Sequence, residues 1–404
     1  MTTITSRQEL YKHFDLYTLQ RKEELNQRSL KRGAGLLKTY LLETFADALE
    51  DDIAPIFNRV KWGLEPIDQG LFRVHNLPVG MDGYLDVFTP RFLAFHTTSP
   101  SEISDSTIKR VVKNTTELDH VWLSSPIMNS IWKDIIPNSQ KYATLRFENE
   151  PLFETLYRNP LFDEAPDDDL YDNEEREDEI PEQQVARLEI KQRINQLRDV
   201  LDGENPFKYL TGNLTRIRVP APNDQGRYEY FHYGKLTNRG DEFRGFASHL
   251  RFISNQVYGN LTRSIERIIA VHAEKTTLPN GANKVVMRGA PVTFAFPVPL
   301  TNRVFEGFIE LTFEKGRGPF RLWGNPLKLS GPKVHVYGID LHLWQPIYLD
   351  LTPKRFIVII PQGTCGNTIH RLTANIKRFL SPLVNVYIGG IAYEELIRTA
   401  MRTA

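Results

Sequence analysis

Between Asp163 and Glu182 the chain carries twelve acidic side chains against one arginine, Arg176, with almost nothing that could be buried. Such a run cannot bury enough apolar surface to offset its ordering entropy, so it reads as a solvated, disordered linker that divides whatever the chain folds into. Charge elsewhere is divided as sharply. Residues 1–160 hold 19 basic and 21 acidic side chains, residues 161–205 hold 5 and 16, and residues 206–404 hold 26 and 13. A formal net charge of zero therefore conceals a strongly basic C-terminal half beside an acidic hinge, which points to a polyanionic partner for the basic part.

At 404 residues the chain exceeds the roughly 250–300 residues over which a single core usually grows, so two domains are expected. The boundaries read as an N-terminal domain over residues 1–160, the acidic linker over 161–183, and a basic C-terminal domain over 184–404. No apolar run approaches the roughly 18 residues of a membrane-spanning helix, and the polar N-terminus has no stretch resembling a secretory signal. The expectation is a cytoplasmic protein with no membrane association. The single cysteine, Cys365, rules out an intramolecular disulfide and fits a reducing compartment. A thiolate-rich metal site is excluded with it, and no metal or cofactor is expected.

The expected fold class is α+β. Leu36, Leu37, Tyr40, Leu41, Phe45 and Leu49 recur at helical spacing, and hairpin-like residues 71–95, a helix from Ser104 and a strand at residues 120–123 complete a mixed N-terminal α/β domain. Beyond Pro181, the stripe Val185, Leu188, Ile190, Ile194, Leu197 and Leu201 predicts a docking helix ending at Gly203. The C-terminal domain opens with a hairpin over residues 215–235. A long helix follows, marked by Leu250, Ile253, Val257, Leu261, Ile265 and Ile268. Residues 284–361 then form a mostly antiparallel sheet. At the end, a strand at 356–360, a glycine-containing loop at 363–367, a helix at 369–380 and a strand at 384–388 resemble a βαβ crossover with parallel strands.

Two places could carry chemistry. Gly363, Thr364, Gly366 and Asn367 lie just before a helix, whose unpaired N–H groups and partial positive charge can hold a phosphate or carboxylate. His370 and Lys377 share one side of that helix and Arg371 and Arg378 another, the latter pair opposite Ile369, Leu372, Ile376 and Phe379, and all four could extend such a site along a nucleic-acid backbone. Cys365 reads as a small packed residue rather than a nucleophile. The second place is the hairpin, where Arg216, Arg218, Tyr228 and Tyr230 interleave cations, which neutralise phosphates, with aromatic faces, which stack on bases. Asp340 and His342 share a strand face without a supporting metal-ligand pattern, and they read as a solvent-facing pair.

These features lead to a non-enzymatic protein that binds nucleic acid, or an assembly containing it. The setting expected is a bacterial multi-protein system acting on foreign DNA or RNA, an antiviral defence. One alternative is an enzyme, a hydrolase or transferase, with its anion site at residues 363–367. Another is a scaffold whose basic half binds a protein partner or the acidic linker itself.

Overall fold

Six consecutive residues, Lys38–Glu43, are buried without alternation and form strand β1, where the spacing of Leu36, Leu37, Tyr40 and Leu41 predicts a helix. A strand covered on both faces reads as a continuous apolar run, and so short a run fits either period. The computed structural model describes residues 4–27, 35–44, 53–150, 186–202, 209–222, 226–277, 279, 281–314 and 318–403. The rest of that stripe, Phe45 and Leu49, and the acidic run of residues 163–182 lie outside them. The N-terminal helix is instead α1 (Arg7–Asn26).

After β1 the chain forms α2 (Ala54–Asn58), β2 (Gly63–Asp68), β3 (Leu71–His75), β4 (Tyr84–Val87), β5 (Phe92–Thr97), α3 (Ser101–Asn114), β6 (Asp119–His120), α4 (Ser125–Ser130) and β7 (Tyr142–Asn149). Then come β8 (Ala186–Arg193), α5 (Ile194–Asp202), β9 (Leu214–Pro220), β10 (Arg227–Phe231) and β11 (Lys235–Asn238). The eleven strands build one antiparallel sheet in the order β2-β3-β4-β5-β1-β11-β10-β9-β7-β8, with β6 beside β1. Alternate residues of β1 and β5 feed two cores. Leu41, Phe92 and Ala94 join a large cluster that runs from Leu10 to Ala400, while Tyr40, Leu42, Leu93 and Phe95 pack with Ile108, Val111 and Val112 of α3.

Two expectations change here. The docking helix from residue 184 is a strand followed by a helix, because Leu188 and Ile190 alternate with Arg187, Glu189 and Lys191 at a period of two before Ile194 and Leu197 take up the helical spacing. Leu188 and Ile190 lie opposite Phe147 and Leu145 of β7. Strands from residues 1–160 and 184–404 also share one sheet rather than closing two: β1 pairs with β11, and β7 lies between β8 and β9. The two ends of the intervening segment meet, since Asn149 on β7 is the register partner of Ala186 on β8.

The hairpin and the long helix fall where the sequence places them. Tyr228 on β10 faces Val219 on β9. The helix runs as α6 (Phe243–Arg251), a π-helical stretch over Phe252–Tyr258, and α7 (Gly259–Ile269). Next come a two-stranded ribbon, β12 (His272–Thr277) with β13 (Asn283–Arg288), then β14 (Val292–Ala295) and α8 (Asn302–Ile309). Strands β15 (Leu322–Lys328), β16 (Val334–Asp340), β17 (Gln345–Thr352) and β18 (Arg355–Ile359) lead to α9 (Asn367–Phe379), β19 (Asn385–Ile388), β20 (Ile391–Ala392) and α10 (Tyr393–Thr403). The second sheet has seven strands in the order β15-β16-β17-β18-β14-β19-β20. Strand β14 is antiparallel to both β18 and β19. The two strands joined by α9 are therefore parallel, as expected of a crossover, but β14 is inserted between them.

Candidate functional site

The loop before α9 is packed against α7. A Cβ on Gly366 would come within 3.0 Å of the Thr262 carbonyl oxygen and of Glu266 Cγ, so the glycine permits a close approach of chain to chain. The Gly366 N–H donates to Glu266 Oε1 at 2.8 Å, and the expected anion cradle is answered by the protein's own carboxylate. Glu266 also receives both terminal nitrogens of Arg91, at 3.0 and 2.6 Å. Arg91 Nε reaches Glu43 Oε1 at 2.6 Å, so one guanidinium serves two carboxylates. Burial, opposed by Arg91 and assisted by the Glu266 charge, pushes the Glu43 carboxyl up to about 7, and its Oε2 is buried without a hydrogen-bond partner among the described residues. Cys365 is 1% exposed, and burial, with Glu43 beside it, raises its thiol well above the ordinary value. That is the reverse of what a nucleophile needs.

The polar face of α9, expected in solvent, is buried except at Arg378, which is half-buried. His370 bonds Thr262 Oγ1 at 3.0 Å and Tyr393 Oη at 2.6 Å, and burial lowers it to about 3, so it is neutral. Arg371 is fully buried, paired with Asp119 and Asp340 and donating to the Phe320 carbonyl at 3.0 Å. Lys377 donates to the carbonyls of Pro382 and Val384 at 3.1 and 3.2 Å, and burial lowers it to about 8. Arg378 meets Glu150 at 3.1 Å and His232 at 3.0 Å. Amphipathic spacing identifies the apolar side of a helix; it does not forbid a second layer from covering the polar side when its charges are paired. Asp340, read as solvent-facing, is the buried partner of Arg371, and His342 is also buried, bonded to the Thr116 carbonyl at 3.0 Å.

On the hairpin, strand alternation separates the four residues expected to act together. Arg216 and Arg218 lie on one side with Glu229, at 3.4 and 3.0 Å, and Arg239 joins them at 2.8 Å. Burial favours protonation of Glu229, but these guanidiniums outweigh it and hold the carboxyl below the usual range. Tyr228 and Tyr230 point to the other side, where Tyr228 packs on Phe246 and Tyr230 bonds His249.

Pairing also accounts for part of the charge imbalance. Cations of residues 206–404 bind acids of residues 1–205: Arg216 with Glu189, Lys235 with Asp105, Arg251 with Asp86, Arg321 and Arg371 with Asp119, and Arg378 with Glu150.

Sequence reasoning missed the outer face of the second sheet. Its inner face carries Val336, Leu349, Val358 and Val386, all buried in the large core. The outer face presents Trp323 (51% exposed), Tyr337 (61%), Tyr348 (40%), Ile359 (37%) and Tyr387 (37%). Tyr337 and Tyr348 are register partners with ring centroids 5.8 Å apart at 83°. At one end of this face lie Lys333, Lys354 and Arg355, while Lys328 has the parity of the inner face. Lys328 pairs with Glu306 and Lys333 with Asp350, while Lys354 and Arg355 are exposed and form no ion pair among the described residues. At the other end, the turn between β16 and β17 holds Leu343 at φ 66° and Trp344 at φ 53°, and Trp344 is 61% exposed. Left-handed backbone is costly for such residues. The turn is held by the Leu343 N–H on the Thr116 carbonyl at 2.9 Å and the His342 N–H on Asp340 at 2.9 Å. A legible signal existed: β15–β17 carry large apolar or aromatic residues at both parities, more than one covered face can take up.

Among the described residues no helix is long and apolar enough to cross a membrane. No solved structure matches the chain. The chain is 24% identical over 405 residues to the uncharacterized protein MJECL33 of Methanocaldococcus jannaschii, an alignment that covers 93% of this chain and 92% of that protein. With residues 1–396 matched by the family model, the chain belongs to the MJECL33-like protein family.

Proposed function

We propose that this chain is a non-enzymatic nucleic-acid-binding component of a larger assembly, and that it takes an unpaired strand on the outer face of its second sheet. The observation that carries this reading is the aromatic row of Trp323, Tyr337 and Tyr348 running toward the cations Lys333, Lys354 and Arg355. Exposed aromatics on a sheet stack unpaired bases, and cations at their margin neutralise the backbone. The buried Arg216 and Arg371 and the half-buried Arg218, all held by carboxylates, have no part in it. The loop at residues 363–367 gives the enzyme reading little support, since Glu266 fills its N–H site and burial suppresses the Cys365 thiol. The same face also carries Leu327 and Ile359, which suit the scaffold reading with a protein partner.

The test is a titration of the full chain with a labelled single-stranded oligonucleotide, read by anisotropy and by quenching of tryptophan fluorescence. Wild type binds with an affinity that falls as salt rises. Tyr337→Ala with Tyr348→Ala weakens it about 30-fold or more, the equivalent of roughly 1–3 kcal/mol for each of the two lost stacks. Absence of binding at low salt, or an unchanged affinity in the double variant, returns the face to a protein partner.

A further inference from the structure

The ribbon of β12 and β13 is exposed along nearly its whole length, with Val285 and Met287 each 65% exposed. Two strands alone are marginally stable in water, yet the base of this ribbon is firmly tied. The Val271 N–H donates to the Ile360 carbonyl and the Gln362 N–H to the Val271 carbonyl, at 3.2 and 3.1 Å. Gly289 sits at φ +88° where a Cβ would lie 2.5 Å from the Ala270 carbonyl oxygen, so the return of the chain into β14 needs glycine. The base lies at the same end of the second sheet as the strained turn, because Gln345, next to Trp344, donates to the Gly363 carbonyl at 2.9 Å.

The ribbon is basic. Lys275 and Lys284 are exposed and form no ion pair among the described residues, while Arg288 pairs with the ribbon's single acid, Glu274, at 2.6 Å. Six residues on each strand make an arm about 20 Å long at roughly 3.3 Å per residue. A groove of about 12 Å admits a two-stranded ribbon of that kind. We infer that this ribbon is an arm that grips duplex nucleic acid, seated in the groove of a duplex that continues from the unpaired strand on the aromatic face. The inference rests on the reading of that face in so far as it places a single strand there; the arm's affinity for a duplex stands by itself. The ligand class that follows is a junction of single strand and duplex.

The experiment uses the full chain and three labelled probes: a single strand, a blunt duplex, and the same duplex carrying that strand as a tail. Wild type binds the tailed duplex about tenfold or more tighter than either part alone. Lys275→Glu with Lys284→Glu brings the tailed duplex down to the affinity of the single strand and leaves single-strand binding unchanged. Both positions are exposed and outside any core, so the unchanged single-strand affinity also reports an intact fold. Equal wild-type affinity for tailed duplex and single strand overturns the inference, as does a ribbon variant that still prefers the tailed duplex. A variant that turns a dimer into a monomer with nucleic-acid binding unchanged also overturns it, by making the ribbon a contact between copies. Blunt-duplex binding that depends on the ribbon, together with no single-strand binding, leaves the arm standing and removes the reading of the aromatic face.

Discussion

Arg371 on α9 and Asp119 on β6 lie 252 positions apart in the chain and are joined, both fully buried, by a direct ion pair. Burial favours protonation of Asp119, but Arg371 and Arg321 outweigh it and hold the carboxylate charged. Arg371→Ala leaves Asp119 and Asp340 buried without their common partner, and breaking such a pair costs about 3–5 kcal/mol. Urea unfolding of the variant shows a loss of that size, whereas Lys354→Ala, on the surface, stays within about 0.5 kcal/mol of wild type.

Glu43 sets a pH dependence of the opposite sign to the usual carboxylate. Its folded value of about 7 lies above the ordinary value, so its contribution to stability is complete below about pH 4.5 and is lost as pH rises to about 7. At 1.36 kcal/mol per unit the loss is roughly 3 kcal/mol at most. Glu43→Gln keeps an acceptor for Arg91 and removes the titration. Urea midpoints at pH 5 and pH 8 therefore diverge in wild type and converge in the variant.

Trp344 joins strain to exposure. Asn accepts left-handed backbone far better than Trp, so Trp344→Asn stabilises the chain by about 1 kcal/mol while weakening single-strand binding by about tenfold or more. Thermal melting and anisotropy on the same preparation check that the two change in opposite directions.

Residues 206–404 expressed alone do not fold cooperatively. Their strands β9 and β11 lose their partners β7 and β1, and Arg371 loses Asp119. Broad, probe-dependent urea transitions are the expected result; a sharp two-state transition contradicts it.

What the sequence made legible was local. The β9–β10 hairpin, the long helix over α6 and α7 and the antiparallel second sheet follow from periods of two and 3.6. Burial of the polar side of α9 does not, because its partners are scattered along the chain, from Thr262, Asp340 and Tyr393 to Asp119 and Glu150, the last two more than 200 residues away. For the same reason the arginines proposed for phosphate found their acids inside the fold. The exposed row of Trp323, Tyr337 and Tyr348 is hidden residue by residue, since strand-forming aromatics look alike whether they face a core or water; only the large residues at both parities of β15–β17 mark it.

The pairing of Asn149 with Ala186 has a further consequence. Chain that leaves one strand and returns on its neighbour closes a loop whose entropic cost grows only with the logarithm of its length, about 0.6 kcal/mol per doubling. Insertions placed after Glu150, which Arg378 holds, and before Ala186 thus cost the rest of the molecule little. The position is a natural port, where a fluorescent domain or an affinity tag can be spliced in with β7 and β8 still in register.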